Sequence, residues 1–150
     1  MARLIIRNIG PIKNVDIELN KVNVFIGEQS SGKSTIAKIV SFCLWLEKTV
    51  NKDDVFFGEG KEAYRRLQTY HHIQSYFRED SVICYLGENL AYAYNWPAEE
   101  PMPYPGWEIV DSQHFSEKEF FLYPASKVVN PKVIYIPAER NFVSVVPNLQ

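Results

Sequence analysis

Only two cysteines occur in 150 residues, and no C-x-x-C pair is present, so neither a disulfide framework nor a thiolate zinc site is encoded. Cys43 and Cys84 stand alone, and buried reduced thiols in a cytoplasmic protein are expected. Histidine is equally scarce. His71 and His72 are adjacent and would diverge on a helix, and His114 is isolated in a polar stretch, so no converging metal-ligand set is expected. No Ser/His/Asp or Cys/His spacing supports nucleophilic catalysis. No apolar run approaches the roughly 18 residues of a membrane span, and the N-terminus has no signal-peptide pattern. An excess of one charge is also missing. Lys and Arg number 16 against 18 Asp and Glu, a net charge of −2, so a nucleic-acid partner is unsupported by overall charge. Repeats and low-complexity segments are absent. The remaining composition, 46% hydrophobic and 23% charged, is that of a soluble globular domain long enough to bury a core.

Against that plain background one motif stands out. Gly27-Glu28-Gln29-Ser30-Ser31-Gly32-Lys33-Ser34-Thr35 fits G-x-x-x-x-G-K-[ST] without a mismatch. At average residue frequencies it would arise by chance in roughly one chain of this length in a few hundred. The apolar run Val22 to Ile26 leads into it as an expected strand, and a long apolar segment follows as an expected helix. Each position has a physical role in a phosphate-binding loop. Gly27 and Gly32 allow the curl that a Cβ would oppose, so that N–H groups point inward. Glu28, Gln29, Ser30 and Ser31 line the loop through their amides. The helix behind it presents the positive end of its dipole. Lys33 is the candidate catalytic residue, bridging β- and γ-phosphates. Ser34 is the candidate Mg²⁺ ligand, and Thr35 adds an α-phosphate contact. ATP and Mg²⁺ are the expected cofactors.

Around the loop, Leu4 to Asn8 reads as a strand, Gly10-Pro11 as a turn, and Val15 to Leu19 as a half-buried strand with Asp16 and Glu18 outward. Two antiparallel strands therefore precede the loop, whereas small-molecule P-loop kinases usually place the loop strand first. Thr35 to about Val50 is expected as a helix buried on most faces. Glu59 to Glu79 is expected as a second helix. Its Lys61, Arg65, Arg66, His72 and Arg78 fit a solvated face, with a nucleic-acid or partner contact as the alternative. Val82–Leu86 and Leu90–Tyr94 flank Gly87-Glu88-Asn89 as a hairpin. Pro97 to Gly106 is an irregular loop. Trp107–Val110 and Phe120–Tyr123 are further strand candidates. The tyrosines suit strand faces and helix packing, since base stacking would also require a basic groove. Val133–Ile136 is a last buried-strand candidate, but Pro137 and Ala138 separate it from Glu139, so it matches a Walker B acid only superficially.

Taken in order, these pieces resemble the N-terminal part of ABC-type ATPase heads, in the branch with SMC, RecF and OLD-like AAA family ATPases. The segments that carry the likeness are Leu4 to Leu19, Val22 to Lys38, and Ile134-Tyr-Ile-Pro-Ala-Glu-Arg-Asn-Phe. The resemblance implies an α/β P-loop NTPase fold: a mixed sheet with an antiparallel β-subdomain, flanking helices, and a variable insertion over 51–130. It places Arg7, Asn8 and Lys13 near the base or ribose, and the Ala138–Arg140 region near a γ-phosphate-sensing loop. It also implies a homodimer or partner subunit joined through the ATP site. No LSGGQ-like signature, Asp-Glu-terminated strand or switch histidine occurs, so the chain is expected to be one half of such a head. Two alternatives stay open, a P-loop kinase of a small acceptor and a non-hydrolysing nucleotide-binding regulatory module.

Overall fold

The computed structural model describes residues 2–50, 63–88, 90–101, 103, 109–116 and 118–124. Its frame is a six-stranded sheet built from β1 (Ala2–Ile9), β2 (Ile12–Leu19), β3 (Phe77–Leu86), β4 (Ala91–Tyr94), β5 (Ile109–Ser116) and β6 (Glu119–Pro124). The strand order is β2-β1-β3-β4-β6-β5, and every described pairing is antiparallel. The helices are α1 (Lys33–Val50) and α2 (Ala63–His71), and a 3-10 turn follows over Gln74–Tyr76. The expected α/β class is therefore present, while the parallel component of a mixed sheet does not occur among the described residues. No helix among them is long and apolar enough to cross a membrane.

Strand alternation sets the two faces. Leu4 and Ile6 of β1 point to the helical side, where the register aligns Leu4 with Tyr85 and Tyr85 with Tyr92, and Ile6 with Ile83 and Ile83 with Tyr94. Ile39, Phe42, Cys43 and Leu46 of α1, with Leu67 of α2, cover this row. Each aliphatic side chain so buried contributes roughly 1.5–3 kcal/mol. Ile5, Cys84, Leu86 and Ala91 line the opposite face, with Trp96 packed against them. In β2 Asp16 and Glu18 are exposed and Leu19 is buried, as the alternation predicts. No residue of α1 from Thr35 to Lys48 is exposed, which agrees with a helix in contact on most sides.

Two buried carboxylates tie helices to the sheet. The Tyr85 hydroxyl donates to Glu47 of α1 at 2.5 Å. Glu119, at the start of β6, accepts from the Tyr92 hydroxyl at 2.6 Å and from the backbone N–H of Tyr64 at 3.1 Å. The second bond caps the first turn of α2, which has no acidic residue of its own there.

Two expectations need correction. The helix expected to Glu79 ends at His71, and Phe77 to Glu79 belong to β3. His72 takes a left-handed φ of 54°, and the N–H of Ile73 bonds back to the Gln68 carbonyl at 3.0 Å, closing a Schellman motif over the buried Ile73. The stretch Val22–Ile26, expected as a strand, pairs with no strand among the described residues. Val22, Val24 and Ile26 are 78%, 76% and 92% exposed, while Phe25 packs on the main core. The alternation is present, but a strand needs a partner to receive its ladder bonds. Candidates at Val133–Ile136 and Ala138–Arg140 lie outside the described residues, as does Lys61.

Candidate functional site

The loop from Gly27 to Ser34 lies between the exposed limb and the first turn of α1. Its curvature rests on two left-handed residues, Ser30 at φ 62° and Gly32 at φ 95°. Gly27, expected to share that task, has no such angle; a Cβ there would lie 3.3 Å from the Ser31 hydroxyl. Gly32 is required twice over. Beyond its φ, a Cβ would lie 2.7 Å from Cγ1 of Ile12 and 3.4 Å from Cγ of Pro11. The loop therefore sits directly against the turn that joins β1 to β2. Pro11 and Ile12 are residues that sequence reasoning marked only as turn and core, since nothing local announces a contact across this distance in the chain.

The ammonium of Lys33 is folded into the loop. It donates to the carbonyls of Gly27, at 2.7 Å, and Glu28, and lies 3.2 Å from the Ser31 hydroxyl, which itself donates to the Glu28 carbonyl at 2.8 Å. Ser34 is exposed, whereas Thr35 is buried beneath the loop. The first turn of α1 contains no acidic residue. Its N–H groups and dipole thus face the loop without an acid in that turn to neutralise them, an arrangement that favours an anion. The loop amides, the Lys33 charge and the exposed Ser34 hydroxyl fit a metal–polyphosphate group. The cradle around Gly32 is one that a single methyl group would fill.

Arg7 and Asn8 are engaged elsewhere. Arg7 makes a two-pronged contact with Glu100, at 3.0 and 2.9 Å, and its guanidinium stands 5.0 Å from the centre of the Trp96 ring. The Asn8 amide donates to Asp80 at 2.9 Å. Neither side chain bonds to the loop among the described residues. Lys13 is exposed on β2. His71 is buried and His72 exposed, so the two do point apart. No group of three or more His, Cys, Asp or Glu that could hold a metal occurs among the described residues. Burial raises the Cys43 thiol well above its ordinary range and pushes Cys84 up to about 12, which keeps both protonated and unreactive.

The sequence profile of a family described as AAA domain matches residues 3–121. No curated protein and no solved structure matches the chain.

Proposed function

The chain belongs to the AAA domain family, whose membership implies a nucleotide-binding, ATPase-like role, and from that premise we propose that it is the ATP-binding module of an ABC-type, SMC/RecF/OLD-like ATPase head. The observation that carries the proposal is the Gly32–Lys33 loop at the acid-free start of α1, behind an antiparallel hairpin. In this reading the loop amides and Lys33 hold the β- and γ-phosphates, and the Ser34 hydroxyl orients the Mg²⁺ that accompanies them. The metal, when bound, neutralises charge on the phosphates. Lys33 must first leave the carbonyls of Gly27 and Glu28, so nucleotide binding exchanges one set of hydrogen bonds for another. The protein is cytoplasmic, in keeping with its two buried thiols.

Hydrolysis requires a positioned water and an acid in addition to the loop. We assign these to a second half of the head and to a dimer partner across the ATP site. The limb Val22–Ile26 supports this assignment, because it pairs with no strand among the described residues and a further strand hydrogen-bonded beside it would place the loop at the end of a paired strand. The hairpin ahead of the loop disfavours a small-molecule kinase.

The test is Mg²⁺-dependent ATP binding and phosphate release by the 150-residue chain. Binding without turnover is expected. Turnover abolished by Lys33→Ala would show that the chain completes its own site, and absence of binding would remove the proposal altogether. Phosphate transfer to a small acceptor would favour the kinase.

A further inference from the structure

The β1–β2 turn is held between two glycine contacts that leave it no slack. On one side lies the 3-10 turn. A Cβ on Gly10, whose φ is +54°, would lie 2.7 Å from Cδ2 and 2.9 Å from Cγ of Tyr76, so the tyrosine ring rests on the bare backbone. The Gly10 N–H donates to the Tyr76 carbonyl at 2.9 Å, and the Arg78 guanidinium donates to the Gly10 carbonyl at 3.0 Å. On the other side, Ile12 presses on Gly32 with the same closeness and Pro11 lies a little farther off. Tyr76, the Gly10–Ile12 turn, Gly32 and Lys33 therefore form one continuous stack. The segment after Tyr76 is itself anchored. The Ser81 hydroxyl donates to the Asn8 carbonyl, and the Asn95 amide bonds to the carbonyls of Glu79 and Ser81, both at 2.9 Å.

Close-packed matter of this kind transmits displacement, because neither glycine position has room for even one carbon atom. We propose that Tyr76 is a positioning residue for the phosphate loop: its ring, through the β1–β2 turn, holds Gly32 and the first turn of α1 in the geometry that receives a triphosphate. The inference rests on the triphosphate role of the loop. It gives a role to the ring of Tyr76, which lies against Gly10 although the residue as a whole is exposed.

The experiment compares the full chain with Tyr76→Ala, Tyr76→Phe, Ile12→Val and Tyr70→Ala, the last at a tyrosine of α2 that is 79% exposed. Affinities for Mg-ATP and for Mg-tripolyphosphate are read by calorimetry, and amide exchange is followed at Gly32, Lys33 and Ser34. All are measured where circular dichroism shows the variant folded. Tyr76→Ala is expected to weaken both ligands by about 2- to 30-fold, the span by which residues along a packed path modulate a distant site. Its loop amides exchange faster while β1 and β3 stay protected. Tyr76→Phe restores binding, Tyr70→Ala leaves it unchanged, and Ile12→Val, acting from the opposite side of the stack, shows a smaller loss in the same direction. Wild-type affinity in folded Tyr76→Ala overturns the proposal, as does a loss in Tyr76→Phe equal to that in Tyr76→Ala. If Tyr76→Ala does not fold, unchanged affinity and loop exchange in Ile12→Val overturn it. Failure of the unaltered chain to bind either ligand strikes the triphosphate reading instead.

Discussion

Ile6 and Ile26 carry the same side chain on two apolar segments that both read as strands, yet the first is 0% exposed and the second 92%. Ile6 lies in β1, which has β2 on one side and β3 on the other, with α1 above it. Ile26 ends a limb that finds no neighbouring strand among the described residues. Among the described residues the sheet supplies its own partners, whereas the Gly27–Ser34 loop rests on the β1–β2 turn and its leading limb pairs with no strand. With the loop as the proposed nucleotide site, stability and nucleotide binding should respond to different substitutions.

The largest effect that would sharpen this contrast lies in the core. Ile6→Ala should cost about 2–5 kcal/mol in a urea titration, whereas Ile26→Ala should stay within about 0.5 kcal/mol. Equal costs would mean that the limb is covered after all. Next, Lys33→Ala should weaken Mg-ATP by roughly 10- to 100-fold and adenosine hardly at all, since a charge-assisted bond to phosphate contributes about 1.5–3 kcal/mol. Calorimetry with both ligands decides it, and thermal stability should be unmoved.

Tyr85→Phe should then cost about 1–3 kcal/mol by removing its hydrogen bond to the buried Glu47. Its pH signature has a definite sign. Burial, reinforced by the neighbouring carboxylates, raises both Tyr85 and Tyr92 above the ordinary phenol range. The unfolded chain therefore releases these protons first. Stability is fully present below about pH 10 and falls as pH rises beyond it. A urea-midpoint series across pH 8–11 should show this decline, shallower in Tyr85→Phe. The smallest effect belongs to the exposed pair Arg3–Asp16, joined at 2.8 and 2.6 Å. Arg3→Gln should cost about 0.2–1 kcal/mol, less at high salt. The Arg3 hydrogen bond lowers the Asp16 pKa, so this contribution is present above the ordinary carboxylate range and disappears as pH falls through the lowered value.

Much of the frame was legible because it is periodic. The alternation of Val15 to Leu19, the pairing of β3 with β4 and the burial of α1 all follow from pattern. The Gly27–Thr35 motif stood out because its residue types have few other uses at that spacing, and its phosphate role is the proposal made above. What escaped was decided by partners distant in the chain. Nothing in Tyr70-His71-His72-Ile73 marks a helix end, for the left-handed position is occupied by histidine rather than glycine, and the closure depends on burying Ile73. Likewise Arg7 and Asn8 look available in the sequence until Glu100 and Asp80 are brought beside them. Ser30 in place of Gly27 as a left-handed loop residue is a local choice that the motif alone does not specify.

The Glu119 contact has a consequence in time. Among the described residues α2 covers nine positions, fewer than the ~12–15 at which an isolated helix is even marginal in water. The carboxylate that caps its first turn arrives from β6, 55 positions later in the chain. We predict that α2 consolidates only once the β5–β6 hairpin has docked and this carboxylate is in place. Pulse-labelled amide exchange during refolding should protect β1, β2 and β3 first and the Tyr64 amide last; early protection of Tyr64 would reverse the order. In that order the sheet would complete the helix rather than the helix templating the sheet.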